Sequence, residues 1–126
     1  MSRSDAFPSP SPVNEKLGVR TEDLPDGTVR LTLSTDASFH NEVGFVHGGV
    51  PTFLLDGAMG RACGRTLDLE RGESCATVQL SVQFLTKAVG TLVATGRVVR
   101  RGRRIAFLEG ECLREDGTGV ARAPGP

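Results

Sequence analysis

The sequence predicts an α+β domain in which an antiparallel β-sheet wraps around one long central α-helix. Three observations carry that prediction. Residues 51–63, which open on Pro51, place apolar and small side chains all round a helix, the pattern of a buried helix rather than of one lying on a surface. Residues 77–85 then alternate with period two, setting Val78, Leu80, Val82 and Phe84 on one face and Thr77, Gln79, Ser81 and Gln83 on the other. Further strand-like stretches over 91–100, 103–114 and 120–123 follow one another across short turns at Gly102 and Asp116-Gly117, and consecutive strands joined in this way pair antiparallel.

The remaining elements follow in chain order. Residues 1–14 read as a loose arm, because the Ser/Pro-rich start with Pro8, Pro10 and Pro12 offers no apolar periodicity to offset ordering. A single domain then occupies residues 15–126, a length that suits one core. Residues 17–22 and 28–35 form a hairpin around Leu24-Pro25-Asp26-Gly27. Residues 36–49 are polar and glycine-rich, and Pro51 suits the first turn of the helix that follows.

Bulk properties exclude several function classes. Lysine plus arginine and aspartate plus glutamate number 15 each, so no net charge draws the chain to nucleic acid or an anionic membrane. No run reaches the ~18 apolar residues of a membrane span, nor does the start resemble a signal peptide. The three cysteines, Cys63, Cys75 and Cys112, are odd in number and lack zinc-ligand spacing. They read as small core residues of a reduced, cytoplasmic protein.

The most informative stretch is Asn41-Glu42-Val43-Gly44-Phe45-Val46-His47-Gly48-Gly49. It places a glycine pair at the start of a buried helix, where backbone N–H groups lack intrahelical partners and the helix dipole favours negative charge. A ligand oxygen could approach Gly48 and Gly49 closely, as in an oxyanion hole; a bare loop-to-helix turn uses the same residues. Asp56 is the one carboxylate within the helix, which suits either a functional group or a solvent-facing residue paired with Arg61. Along the helix Asp56 lies roughly 10 Å from the glycine amides. Both groups can act on one carbonyl if Asp56 comes from a second subunit whose helix runs antiparallel, which predicts a homodimer with shared active sites.

His47 and His40 suit loop orientation as well as proton transfer, and Asn41 suits a ligand carbonyl or the loop backbone. Of Ser74 and Thr77, Thr77 is the better candidate to position water. Arg97, Arg100, Arg101, Arg103 and Arg104 surround Gly102 and could grip phosphates or simply form a solvated hairpin tip. No Gly-x-Ser-x-Gly elbow, Ser/His/Asp spacing or Gly-Lys-Ser phosphate loop is present.

Asn41, Gly44, His47-Gly48-Gly49, Asp56 nine positions beyond the histidine, and the strand Thr77-Val78-Gln79-Leu80-Ser81-Val82-Gln83-Phe84-Leu85 together resemble the hot-dog-fold acyl-CoA thioesterase superfamily, in particular its phenylacetate-pathway (PaaI-like) branch. The resemblance covers roughly residues 15–123. It implies hydrolysis of an acyl-CoA, aryl or medium-chain, without metal or cofactor, by dimers that commonly pair into homotetramers. Carried onto this chain, the Gly48 amide, with Gly49, polarises the thioester carbonyl. Asn41 and His47 hold substrate or loop, Thr77 places water, and Asp56 attacks or activates water. Arg101, Arg103 and Arg104 become the candidate dock for the coenzyme A phosphates. Lys87 stands where relatives usually carry proline, and the last strand ends early at Ala-Pro-Gly-Pro. A non-catalytic acyl-CoA-binding module and an enoyl-thioester hydratase or dehydratase are the alternatives. The hydratase ranks lower, because both histidines precede the glycine turn.

Overall fold

A computed structural model describes residues 11–124. Its first element is a helix, α1 (Pro12–Leu17), capped by the Ser11 hydroxyl, which accepts from the Asn14 N–H at 3.2 Å, and ended by Gly18 at φ 82°. Residues 11–14 of the expected arm are therefore the cap and first turn of a helix; residues 1–10 lie outside the described part. The hairpin follows as β1 (Arg20–Asp23) and β2 (Val29–Ser34). Its turn is closed by Asp26 Oδ1, which accepts from the Thr28 N–H at 2.9 Å, with Gly27 at φ 94°.

The polar stretch leads into α2 (Gly49–Gly64), which begins two residues before Pro51. Then come β3 (Gln83–Phe84), β4 (Thr91–Arg101), β5 (Ala106–Arg114) and β6 (Gly119–Ala123). The strands form one sheet in the order β1-β2-β4-β5-β6-β3, antiparallel at every pairing. The predicted α+β architecture is the observed one, and the sheet packs around α2. On β2 the alternation places Val29, Leu31 and Leu33 inward, and their partners on β4 are Gly96, Ala94 and Leu92. These side chains meet Leu54, Leu55, Ala58, Met59 and Ala62 of α2, together with Cys112 and Val120 from β5 and β6.

The helix lies on β4 with almost no clearance. A Cβ at Gly96 would come within 2.5 Å of the Met59 backbone nitrogen and 2.6 Å of the Ala58 carbonyl carbon. Glycine there lets the helix backbone rest directly on the strand. A second tie joins α2 to β1: Arg61 donates from Nε and Nη2 to the two carboxylate oxygens of Asp23, each at 2.8 Å. That paired guanidinium holds the Asp23 carboxyl below its ordinary range.

Two expectations are corrected. The half-buried strand expected over residues 77–85 is paired only at Gln83 and Phe84, opposite Arg122 and Ala121 of β6. Leu80 and Val82 pack against the core as the alternation predicts, whereas Val78 is 97% exposed. The reason lies in the register: β6 ends at Ala123, so among the described residues no strand lies opposite residues 77–81. Among the described residues, no backbone N–H from Ser74 to Val82 donates to a backbone acceptor. The second correction concerns the cysteines: Cys63 and Cys112 are buried, but Cys75 is exposed.

Gly96→Ala is expected to lower unfolding stability by about 1–3 kcal/mol, because the contact is with backbone that cannot rotate away. The loss is read in urea unfolding against the parent chain. Asp23 gives a pH-dependent expectation. Its carboxyl is depressed in the folded state, so its contribution is present above the unfolded carboxylate value of about 3.9 and is lost as pH falls through the lower folded value. The stability gap between the parent and Asp23→Asn should therefore be level near neutrality and close in acid below about pH 4.

Candidate active site

The loop before α2 is organised by Asn41. Its Oδ1 accepts from the N–H groups of Val43, Gly44 and Phe45 at 3.0, 3.1 and 3.1 Å, and its own N–H donates to the Phe45 carbonyl at 2.7 Å. Three converging donors leave this oxygen little capacity for a ligand, so of the two roles open to Asn41 the geometry favours the loop backbone. Gly44, at φ 97°, completes the turn. His40 and Val46 pair as an isolated bridge, which brings the two ends of the loop together.

His47 is exposed, and its Nδ1 accepts from the Gly49 N–H at 2.8 Å. An accepting Nδ1 carries no proton, so the ring is tied to the turn in one tautomer. The Gly49 amide is thus engaged by His47. The remaining first-turn donors are also engaged: the Val50 N–H donates to the His47 carbonyl at 2.9 Å and the Thr52 N–H to the Gly48 carbonyl at 3.3 Å. Among the described residues the Gly48 N–H has no acceptor. It sits at the N-terminal end of a helix 16 residues long, where backbone dipoles add in favour of an anion.

Asp56 is half-buried on α2, and its Oδ1 accepts from the Thr77 hydroxyl at 2.6 Å. Arg61, the partner the sequence suggested for it, pairs with Asp23. Phe53, Asp56, Gly57 and Gly60 recur at helical spacing and remain partly exposed, while Leu54, Leu55, Ala58, Met59 and Ala62 are buried against the sheet. This second face of α2 therefore combines one carboxylate with two glycines. The chain brings Thr77 to Asp56 and His47 to Gly49. It does not bring the Gly48 turn to Asp56, which lies about 10 Å farther along the same helix.

Two aromatic neighbours were not foreseen. The Phe84 ring lies beside the turn, since a Cβ at Gly48 would come 3.4 Å from its Cε1 atom. Lys87 places its Nζ 4.3 Å from the centroid of the Phe45 ring. The Lys87 carbonyl in turn accepts twice from the Arg114 guanidinium, at 3.0 and 2.7 Å. The departure noted at Lys87 is thus part of the framework of the Asn41 loop.

The arginines divide into two groups. Arg97 pairs with Glu109. Arg101 donates to the Thr66 hydroxyl at 3.2 Å and to the Gly102 carbonyl, and lies 3.9 Å from Glu73. Its guanidinium fastens the end of α2 to the sheet. Arg103 and Arg104, with Arg100, Gly102, Ile105 and Phe107, line an open cleft of about 470 Å³. Among the described residues no cluster of three His, Cys, Asp or Glu side chains could hold a metal ion, and no helix is long and apolar enough to cross a membrane.

An antiparallel sheet closed over one central helix, with a glycine turn at the helix start and a carboxylate midway along it, defines a hot-dog-fold domain. Residues 43–121 match the family model described as the thioesterase superfamily, and the chain belongs to that superfamily. It is 36% identical over 96 residues to a protein of Halobacterium salinarum named as a proposed esterase; the match spans 74% of this chain and 64% of the relative. Among solved structures it is similar to a proposed thioesterase of Ralstonia eutropha JMP134 described as related to phenylacetic acid degradation. That likeness has 32% identity and a TM-score of 0.81, over 93% of this chain and 89% of the other. A Bacillus halodurans protein solved with CoA gives 25% identity and a TM-score of 0.83, over 97% and 80% of the two chains.

If Asn41 holds the loop through its carbonyl oxygen, Asn41→Ala should speed amide hydrogen exchange at Val43, Gly44 and Phe45 while leaving the core amides of β2 and β4 unchanged. Equal acceleration throughout would show that the side chain acts on global stability instead.

Proposed function

We propose that this protein hydrolyses an acyl-CoA, aryl or medium-chain, to the free acid and coenzyme A. The observation that carries the reading is the pair of unlike groups on α2: an N–H at Gly48 with no acceptor, and the Asp56 carboxylate fixed by Thr77. The first suits the developing oxyanion of a thioester; the second suits delivery of an oxygen nucleophile. Superfamily membership and the likeness to a protein solved with CoA support the substrate class.

In this reading each site is shared. The partly exposed face of α2, with Gly57 and Gly60, allows a second helix to approach antiparallel, so that the Gly48 turn of one subunit faces Asp56 of the other. The unpaired edge over residues 77–82 offers the same partner a strand to pair with, which would satisfy backbone groups that this chain leaves open. Two such dimers pairing through the outer sheet face, where Ile105 and Phe107 are exposed, would give the tetramer.

The thioester carbonyl accepts from the Gly48 N–H. Asp56, with one oxygen held by Thr77, uses the other either to take a proton from water as it attacks or to attack the carbonyl carbon itself. Where water attacks, the tetrahedral intermediate breaks its C–S bond and Asp56 returns the proton it took to the departing sulfur. Where Asp56 attacks, collapse gives an acyl–Asp56 anhydride and coenzyme A thiolate, and a water then hydrolyses the anhydride to the free acid. Single-turnover hydrolysis in labelled water separates the routes, since only direct attack puts label into Asp56. Arg103 and Arg104 are the cations proposed to meet the phosphates. They line the open cleft that follows Arg101 in the chain. Reduced thiols fit a cytoplasmic setting.

Asp56→Asn is expected to lower kcat by about 10²–10⁴-fold with the fold intact. Gly48 has φ −58°, which a proline ring accepts, so Gly48→Pro deletes the donor with little backbone change and should cost about 10²–10³-fold. Mixing the two inactive variants and allowing subunits to exchange should restore thiol release, because each heterodimer rebuilds one complete site. Failure of the mixture to recover activity, with exchange verified by native mass spectrometry, would overturn the shared site. Full activity of Asp56→Asn would overturn the assignment of the carboxylate.

A further inference from the structure

Cys63 and Cys75 take no part in the reaction proposed above, yet the fold brings them together. Cys63 is buried in the last turn of α2, and Cys75 is exposed on the segment that follows. The Cys75 sulfur lies 3.9 Å from the Gly60 carbonyl oxygen, one helical turn before Cys63, and a helical side chain leans back over the turn that precedes it, which directs the Cys63 thiol toward the same carbonyl.

The segment carrying Cys75 is anchored upstream. Glu73 accepts from the Asp68 N–H at 2.7 Å and lies 3.9 Å from Arg101. Downstream, from Ser74 to Val82, the backbone donates to no backbone acceptor among the described residues, and the side-chain bond from Thr77 to Asp56 links this stretch to the helix. A covalent bond at Cys75 would therefore act where the segment has the fewest ties of its own.

We propose that Cys63 and Cys75 form a reversible intrachain disulfide, with a peroxide as oxidant, which pins the stretch carrying Thr77 to α2. The exposed Cys75 thiolate attacks one peroxide oxygen; an S–O bond forms, the O–O bond breaks, and the departing hydroxide takes a proton. The Cys63 thiolate then attacks the sulfenic sulfur. The S–S bond forms, the S–O bond breaks, and a second water leaves. Two thiols are oxidised and one peroxide is reduced to two waters.

Burial and the neighbouring Cys63 thiol raise Cys75 above its ordinary value, partly opposed by Arg101. A smaller thiolate fraction at Cys75 slows its attack on peroxide. Cys112, in β5, is an internal control: burial pushes its thiol up to about 12, and it stays out of reach.

The test uses the full chain treated with hydrogen peroxide, alkylated, digested and analysed by mass spectrometry. The expected product is a peptide pair joined through Cys63 and Cys75 that dithiothreitol separates, with Cys112 alkylated only after unfolding. Amide exchange over residues 75–82 should be slower in the oxidised chain than in the reduced one. In Cys63→Ser, or in Cys63→Ala should that variant fold better, the cross-link is lost and dimedone captures a sulfenic acid at Cys75. In Cys75→Ser both signals are lost. Oxidation of Cys75 in the parent without a cross-link, a bond between chains on a non-reducing gel, or no reaction at peroxide levels that oxidise free glutathione would each overturn the proposal. These readouts are covalent, so they stand or fall independently of thioester hydrolysis.

Discussion

The arrangement of this molecule depends on how closely α2 can approach β4. At Gly96 the helix backbone meets the strand with no side chain between them, and the rest of the core is set by that separation. Leu54 and Leu55 reach full burial because the sheet curls around a helix already in contact with its middle strands. The same approach turns the opposite face of α2 outward, so that Asp56, Gly57 and Gly60 are left partly exposed. Core and candidate site are thus two faces of one helix. A side chain that lifted the helix from the strand would displace the carboxylate as well.

The site itself is built from short-range ties. His47 reaches two residues forward to Gly49, and Asn41 gathers the N–H groups of the next few residues. Such bonds make the turn a local structure that needs little from the sheet, apart from the Phe84 ring beside Gly48. Asp56 is different, since its partner Thr77 lies 21 positions away on a segment without strand partners of its own. One half of the candidate site is therefore held by local bonding, and the other depends on how that segment is held.

How much of this could be read from the sequence follows from the range of each interaction. The buried helix was legible because its composition is apolar and small on every side, and its start was misplaced by two residues because Gly48-Gly49 resembles a loop as much as a first turn. Helix α1 was missed although its signals are present: Ser11 before Pro12 and Gly18 after Leu17 are cap residues, masked by the Ser/Pro-rich composition around them. The alternation over residues 77–85 correctly reported which side chains face the core at Leu80 and Val82. It carried no information about a partner strand, because a period-two pattern describes chemistry on two faces and not the neighbour at the edge. The contacts of Arg101 were not legible for a related reason. Its partners, Thr66 and Glu73, are about 30 residues away in the chain, and only the folded path brings them to its guanidinium.

The open edge over residues 77–82 also bears on how the chain behaves in a crowded solution. A segment with apolar residues and one exposed valine, whose backbone donors meet no backbone acceptor among the described residues, is a template for unwanted pairing. Any such contact competes with folding on the same few residues and grows with concentration. Thr77 belongs to that edge, so evolution cannot adjust the neighbour of Asp56 without also adjusting how sticky the nascent chain is.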